Sequence, residues 1–245
     1  YRQSRGWLVG DENAGPHAMF TMMNNARLGV GIEGLSQCEL ATQKAFEFAR
    51  NRKQGHAKID NRKGVILDHP DVRRMLITMK SLTAAVRALC LDAALSLDLS
   101  KSNDKQTASK ENARASFLIP IAKAFSTDIG CRVADIGIQV HGGMGYVEET
   151  GVAQVFRDVR VTAIYEGTNG IQAIDLVGRK LADSGKAANG LIDEMKLTIS
   201  NCSNHEDKQI REMGTRLSKS LVCLESTLNW MLKQEDFNNR LAGAT

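Results

Sequence analysis

Prolines and aromatic residues are scarce in this sequence of 245 residues, which has three prolines and an aromatic share of 5%. This scarcity argues against a disordered proline-rich tail, a collagen and a β-sandwich with many turns. Hydrophobic residues make up 42% and charged residues 24%, which is typical of a globular chain with a packed core. No apolar run reaches the roughly 18 residues that a membrane helix needs, so no membrane association is expected.

Signals for secretion, disulfides and metal binding are also missing. No apolar stretch with a cleavage site opens the chain, and the first residue is Tyr1 rather than methionine, so we expect a piece of a longer protein. The five histidines lack metal-ligand spacing, and no metal site is expected. Free thiols in a reducing cytoplasm are the favoured interpretation of the five cysteines, which are odd in number, far apart and without a CxxC pair: Cys38, Cys90, Cys131, Cys202 and Cys223.

The formal net charge of +4 is unevenly distributed along the chain. Residues 50–80 contain nine lysines and arginines against three aspartates. Such a segment is either a solvated basic face or a surface that attracts the phosphates of a nucleotide cofactor, coenzyme A or nucleic acid. Aromatic residues that could stack on bases are not interleaved there, so nucleic acid is not the expected partner.

Apolar residues recur at steps of three and four along most of the chain, which predicts helices. A strand-like run at 6–10 precedes them, a polar linker occupies 101–110, and no strand–helix–strand unit is present. The expected fold class is therefore all-α, an antiparallel helix bundle with a short β remnant at the N-terminus. The predicted helices cover about 18–52, 70–99, 111–140, two stretches between 151 and 181, 191–200 and 206–234.

Three glycines, Gly29, Gly31 and Gly34, lie inside the first predicted helix. Each costs a helix up to ~1 kcal/mol relative to alanine, so each needs a compensating reason. Close packing of another helix and close approach of a ligand both supply one, and the spacing of the glycines fits either.

One carboxylate, Glu166, occupies a junction between two helical stretches. Gly167 follows it, and Thr168 or Asn169 would cap the next helix. With its apolar neighbours, such a carboxylate can be held in a dry pocket and used as a general base. The alternative is a glutamate that only stabilises the start of a helix through the helix dipole.

Several ordered motifs resemble the C-terminal helical domain of the acyl-CoA dehydrogenases, over about residues 5–182. The family signature combines Gln-x-x-Gly-Gly-x-Gly-Tyr, an Arg-Asp pair and Tyr-Glu-Gly-Thr. Here these are Gln139-Val-His-Gly-Gly-Met-Gly-Tyr146, Arg157-Asp158 and Tyr165-Glu-Gly-Thr168, in that order. The run 6–10 resembles the last strand of the family's middle β-domain.

The resemblance implies part of an FAD-dependent oxidoreductase. In the family, a glutamate removes the α-proton of an acyl-CoA thioester while the β-hydrogen leaves as hydride to FAD, which yields the 2,3-enoyl-CoA. Glu166 matches that glutamate and is the implied catalytic residue. Some relatives carry the base on the first helix instead, at the position of Ala26, which cannot act as a base.

The resemblance also implies the residues that contact substrate and cofactor. Asn24 and Arg27 match the acyl-CoA channel, although Asn24 replaces a common aspartate, and Tyr165 and Gly167 flank the base. The implied FAD contacts are Thr168, beside the flavin, and three residues that reach FAD across a subunit contact: Arg52, Gln139 and Gly143. The loop departs from the family pattern, because the phenylalanine before Gly55 is missing and residues 56–68 form a longer segment.

The implied organisation has three parts. Residues 1–17 end a middle β-domain, 18–185 form the C-terminal helical bundle domain, and 186–245 start a helical extension like that of the methylmercaptopropionyl-CoA dehydrogenases. An acyl-CoA substrate, an electron-transfer flavoprotein as electron acceptor and a homodimer or homotetramer are expected. The segment alone is expected to be inactive.

The alternative function is that of a catalytically idle flavoprotein relative, which serves as a binding or assembly module and is possibly DNA-associated. The basic segment at 50–80 supports this alternative, whereas the intact Tyr-Glu-Gly-Thr motif favours the enzyme.

Overall fold

The computed structural model describes residues 2–55 and 64–244. The regular structure of these residues is helical apart from one isolated antiparallel bridge between Lys53 and Val65. Three long helices form the main bundle: α1 (Gly15–Asn51), α2 (Pro70–Leu99) and α3 (Lys105–His141). The predicted fold class, an all-α helix bundle, is confirmed.

The directions of the three long helices follow from their contacts. Along α1 and α3 the contact positions rise together, from Gly34 against Ser126 to Ala41 against Gly137, so these two helices run parallel. Helix α2 runs antiparallel to α1, since Thr42 of α1 meets Thr83 of α2 and the earlier Glu39 meets the later Arg87. The core between them is made of small and medium-sized side chains, including Cys38, Ala41, Ala45, Met79, Val86, Cys90, Val133 and Ala134.

Short elements follow the long bundle. Gly142, at φ +59°, ends α3 and leads into α4 (Gly143–Tyr146) and a 3-10 turn at Glu148–Thr150. A Cβ on Gly145 would lie 2.4 Å from the carbonyl oxygen of Ile138, so only glycine fits this close return of the chain. Helices α5 (Val152–Thr162) and α6 (Asn169–Asp175) then pack on α3. A π-helix covers Leu176–Lys180, directly after α6.

The last part of the chain forms a second core against the first. Helices α7 (Lys186–Ser203), α8 (Lys208–Lys233) and α9 (Phe237–Ala242) pack around Val177, Leu181, Ile192, Leu221, Leu228 and Met231. Arg114 of α3 ties this unit to the bundle, because its guanidinium bonds Asp92 of α2 and Glu194 of α7. The predicted division of the chain at residues 17 and 185 stays a prediction.

Two expectations about local structure are wrong. Residues 6–10 form no strand in the described chain, and Trp7 and Val9 are 84% and 94% exposed. A strand needs a partner to complete its backbone hydrogen bonds, and no described segment provides one. Helix α3 begins at Lys105 rather than near residue 111, because Asp104 accepts a hydrogen bond from the backbone N–H of Thr107 at 3.0 Å and caps it.

The glycines of α1 have different environments. A Cβ on Gly34 would lie 2.8 Å from the backbone oxygen of Ser126, whereas one on Gly29 would meet nothing within 4 Å. A Cβ on Gly31 would lie 3.4 Å from the backbone oxygen of Ala122. Gly31 and Gly34 therefore serve the close packing of α1 on α3.

Part of the basic segment, residues 56–63, lies outside the described residues, and so does part of the long loop at 56–68. Among the helices that the structure describes, none is long and apolar enough to cross a membrane.

Candidate active site

Glu166 lies in the turn between α5 and α6. It has a positive φ of +52°, and Gly167 follows at +82°, so two consecutive residues are left-handed. This conformation costs a glutamate on the order of 1 kcal/mol or more, and it persists only where the surroundings hold it. Thr168 caps α6 as predicted, since its hydroxyl oxygen accepts a hydrogen bond from the N–H of Ile171 at 3.3 Å.

Two buried side chains hold this turn through hydrogen bonds to its carbonyl oxygens. Lys123 of α3 donates to the carbonyl oxygen of Gly167 at 2.9 Å. The amide nitrogen of Gln172 donates to the carbonyl oxygens of Glu166 and Gly167 at 3.3 and 3.0 Å. The turn that carries Glu166 is thus attached to both α3 and α6.

Tyr165 attaches the same turn to α1. Its hydroxyl donates a hydrogen bond to the carboxylate of Glu33. Burial and this hydrogen bond raise the pKa of Tyr165 to about 12. The tyrosine is therefore a neutral donor at physiological pH, and its neighbour in the chain, Glu166, is half-buried.

The predicted substrate residues of α1 lie one turn apart. Asn24 is half-buried, and Arg27 is 4% exposed. The guanidinium of Arg27 is paired with Asp175 of α6, at 2.5 Å between Nη1 and Oδ2. The ion pair gives Arg27 a role in joining α1 to α6, and its contact with an acyl-CoA chain stays a prediction.

Three of the four predicted FAD residues line one cavity of about 660 Å³. Arg52 follows the C-terminal end of α1, Gln139 lies in the last turn of α3, and Gly143 begins α4. Arg52 is exposed, and no carboxylate of the described chain forms an ion pair with it. The imidazole of His69, which is hydrogen-bonded to the carbonyl oxygen of Gln54 at 2.9 Å, also lines this cavity and was missed by the sequence analysis.

Thr168, the fourth predicted FAD residue, belongs to the Glu166 turn and not to this cavity. The turn contacts α1 at Glu33, and Arg52 comes nineteen residues later. At 1.5 Å per helical residue the two places are separated by ~28 Å along α1. The structure therefore divides the predicted residues into two groups.

Lys123 and Gln172 are the other residues that the sequence analysis missed. Lys123 interrupts the apolar run Ile121-Ala-Lys-Ala-Phe125, and a lone lysine on a buried helical stripe is the signal that could have identified it. Nothing in the local pattern marks Gln172, which is one of several polar residues after the motif. For residues 2–55 and 64–244, no group of three or more histidines, cysteines, aspartates or glutamates is arranged to hold a metal ion.

Known proteins resemble this chain in sequence. A 3-methylmercaptopropionyl-CoA dehydrogenase of Ruegeria pomeroyi is 39% identical over 100% of this chain and 42% of its own length. A butyryl-CoA dehydrogenase of Syntrophomonas wolfei is 37% identical over 71% of this chain and 30% of its own length. The caffeyl-CoA reductase-Etf complex subunit CarC of Acetobacterium woodii is 28% identical, over 71% and 41%. The chain thus spans less than half the length of these relatives.

Solved structures agree in fold. Butyryl-CoA dehydrogenase from Megasphaera elsdenii has a TM-score of 0.58 and 29% identity, over 69% of this chain and 39% of its own. Caenorhabditis elegans ACDH-11 in complex with C11-CoA has a TM-score of 0.70 and 24% identity, over 91% and 34%, and this likeness concerns the fold alone. The family model of the acyl-CoA dehydrogenase C-terminal domain matches residues 13–181, which hold both groups of predicted site residues. The chain therefore belongs to the acyl-CoA dehydrogenase family and contains its C-terminal domain.

Proposed function

We propose that this chain is the C-terminal part of an FAD-dependent acyl-CoA dehydrogenase in which Glu166 removes the α-proton of an acyl-CoA thioester. The observation that carries this proposal is the turn at Glu166, where a left-handed carboxylate residue is held from three helices. A strained backbone conformation that several surrounding contacts hold in place is typical of functional sites. A glutamate that only stabilised a helix start would need no such support.

The residues of this chain have distinct tasks in the reaction. Glu166 accepts the α-proton on a carboxylate oxygen, which leaves the pair of C–H electrons to form the new double bond. Its flanking residues Tyr165 and Gly167, with Asn24 and Arg27 on α1, are proposed to orient the thioester. FAD, when bound, supplies the acceptor for the β-hydrogen, which departs as hydride.

The residues around the second cavity fit a dinucleotide cofactor. An exposed guanidinium that forms no ion pair with a carboxylate of residues 2–55 or 64–244 is suited to bind phosphate oxygens, which it can contact in a bidentate manner. The amide of Gln139 adds donors and an acceptor, and a Cβ on Gly143 would meet nothing within 4 Å, which leaves its backbone open to approach. Arg52, Gln139 and Gly143 would therefore hold the pyrophosphate and adenosine half of FAD.

The separation of the two groups supports a homo-oligomer. Thr168 would contact the flavin beside Glu166, while the Arg52 cavity, ~28 Å away along α1, would receive the FAD of a neighbouring subunit. We propose a homodimer or homotetramer on this ground. Electron-transfer flavoprotein is the proposed electron acceptor, since the relative from Acetobacterium woodii is named as part of an Etf complex. The free thiols support a cytoplasmic location.

Replacement of Glu166 in the full-length protein tests the proposal. Glu166→Gln keeps the size of the side chain but cannot accept the α-proton, so reduction of bound FAD by butyryl-CoA or 3-methylmercaptopropionyl-CoA should cease while FAD stays bound. Absorbance near 450 nm after anaerobic mixing measures this. Glu39→Gln, which changes a glutamate of α1 paired with Arg87, is the control and should reduce FAD normally. Normal reduction in Glu166→Gln would refute the assignment of the base.

A further inference from the structure

We propose that Lys123 is a positioning residue for Glu166, because its ammonium group holds the carbonyl of Gly167 and with it the left-handed turn that directs the Glu166 carboxylate. The inference rests on the proposed role of Glu166 as the base. It assigns a role to a buried cation that neither binds substrate nor takes part in the proton transfer.

Lys123 lies in the middle of α3 with no exposed surface. Its ammonium donates to two acceptors, the carbonyl oxygen of Gly167 at 2.9 Å and the side-chain oxygen of Asn169 at 3.0 Å. Both acceptors belong to the segment that begins at Glu166. The cation therefore contacts the turn on the side opposite to solvent, where no surface contact could replace it.

Asn169 fixes the direction in which the lysine is held. Its amide nitrogen donates to the hydroxyl of Thr127 at 2.9 Å and to the carboxylate of Asp128 at 2.8 Å, both on α3. With the nitrogen committed to these acceptors, the amide oxygen must face Lys123. Lys123, Asn169 and the α3 residues Thr127 and Asp128 thus form a connected polar network next to the turn that carries Glu166.

The chemistry of the site explains why a lysine, and not an apolar residue, is there. A fully buried cation is costly unless it is paired and hydrogen-bonded, and a methionine of similar length would avoid that cost. Among the charges that act on the ammonium, those of Asp128 and Glu166 favour its charged form and that of Arg27 opposes it. A group this costly is retained where its hydrogen bonds are required, and these bonds end on the turn of the base.

Loss of the hydrogen bond from Lys123 to Gly167 should affect the rate of the reaction more than the binding of substrate. Without Lys123, the carbonyl of Gly167 keeps only the hydrogen bond from Gln172, so Gly167 can leave the left-handed region more easily and Glu166 can return to a less strained conformation. A displacement of a reacting group by about 1 Å can cost on the order of 100-fold in rate. The contacts of Asn24 and Arg27 on α1 would stay in place, so KM should change little.

The first test compares two lysine variants in the full-length, FAD-containing protein. Lys123→Met removes the ammonium, and Lys44→Met is the matched control, since Lys44 also donates to a backbone carbonyl, that of Thr150 at 3.2 Å, far from the base. We expect Lys123→Met to lower kcat roughly 10- to 100-fold with KM within about threefold, and to raise the kinetic isotope effect of an α-deuterated acyl-CoA. Lys44→Met should leave these three quantities unchanged.

The second test needs no activity. Hydrogen–deuterium exchange followed by mass spectrometry should show faster exchange of residues 163–172 in Lys123→Met and of residues 147–152 in Lys44→Met. Lys123→Gln, which keeps two N–H donors in place of three, should lie between wild type and Lys123→Met in both tests.

A folded Lys123→Met protein with unchanged kcat, or with a raised KM at normal kcat, would overturn the proposal. Failure of both Lys123→Met and Lys123→Gln to fold would also overturn it, because the lysine would then serve the fold and not the base. If instead Glu166→Gln proves active, the proposed function fails, while the exchange test still reports whether Lys123 holds the turn.

Discussion

Arg27 of α1 and Asp175 of α6 form a buried ion pair with 2.5 Å between Nη1 and Oδ2. Their side chains are 5% and 3% exposed, and Asp175 also accepts a hydrogen bond from Arg179. Burial alone would raise the pKa of Asp175, but the hydrogen bonds from Arg179 and Arg27 outweigh it and hold this pKa below its usual value. The pair joins the helix of the predicted substrate residues to the helix that follows the base.

Removal of the Asp175 charge should destabilise the protein strongly. Asp175→Asn leaves the buried guanidinium of Arg27 without a counter-charge, which costs about 3–5 kcal/mol of unfolding free energy. Asp71→Asn, which breaks the exposed pair of Asp71 with Arg74, should cost less than about 1 kcal/mol. Urea unfolding at pH 7 measures both. Equal effects of the two variants would contradict the structural role of the buried pair.

The destabilisation caused by Asp175→Asn should depend on pH. Because the folded-state pKa of Asp175 is below its ordinary value of 3.8, the stabilisation is fully present above that value and is lost as pH falls through the folded pKa. The difference in unfolding free energy between wild type and Asp175→Asn should therefore shrink below about pH 4. A constant difference down to pH 2 would argue against an ionised Asp175.

The glycines of α1 should respond oppositely to alanine. Gly34→Ala places a Cβ 2.8 Å from the backbone of Ser126, which must move, so we expect a loss of about 1–3 kcal/mol. Gly29→Ala points into open space and should gain up to about 1 kcal/mol through helix propensity. Thermal unfolding followed by circular dichroism distinguishes them, and a neutral Gly34→Ala would refute the close contact of α1 with α3.

The titration of Lys123 should make the free energy of unfolding rise with pH in alkaline solution. Burial lowers the pKa of Lys123 from 10.5 to about 8, an effect that Asp128 and Glu166 oppose and Arg27 reinforces. Between these two values the unfolded chain holds a proton that the folded chain has released, so the unfolding free energy increases by up to ~3 kcal/mol. Other groups titrate there too, but the difference between wild type and Lys123→Met isolates this lysine. A difference that does not change from pH 7 to 10.5 would be contrary evidence.

Arg52 should govern retention of FAD in the full-length protein. Arg52→Ala removes a charge-assisted contact worth about 1.5–3 kcal/mol, which corresponds to a loss of affinity of roughly 10- to 100-fold. Flavin absorbance after extensive dialysis measures the occupancy. Arg50→Ala removes an equal charge from the same end of α1, outside the cavity, and should retain FAD. Equal retention in both variants would exclude a phosphate contact of Arg52.

Local sequence patterns determined the helices and the place of the base. The three- and four-residue periodicity predicted all the long helices, and Gly167 followed by Thr168 predicted the junction at Glu166 and the cap of α6. These features depend on residues close together in the chain, so they can be read from it. The late start predicted for α3 was wrong because its first turn has no large apolar residue and depends on the Asp104 cap.

Contacts between distant residues were decided only by the tertiary structure. Gly29 and Gly34 look alike in sequence, but Gly34 faces α3 and Gly29 faces open space. The run 6–10 has the pattern of a strand, yet a strand forms only where another segment completes its hydrogen bonds. Lys123 precedes Gly167 by forty-four residues, and only the packing of α3 under the turn brings its ammonium within 2.9 Å of that carbonyl.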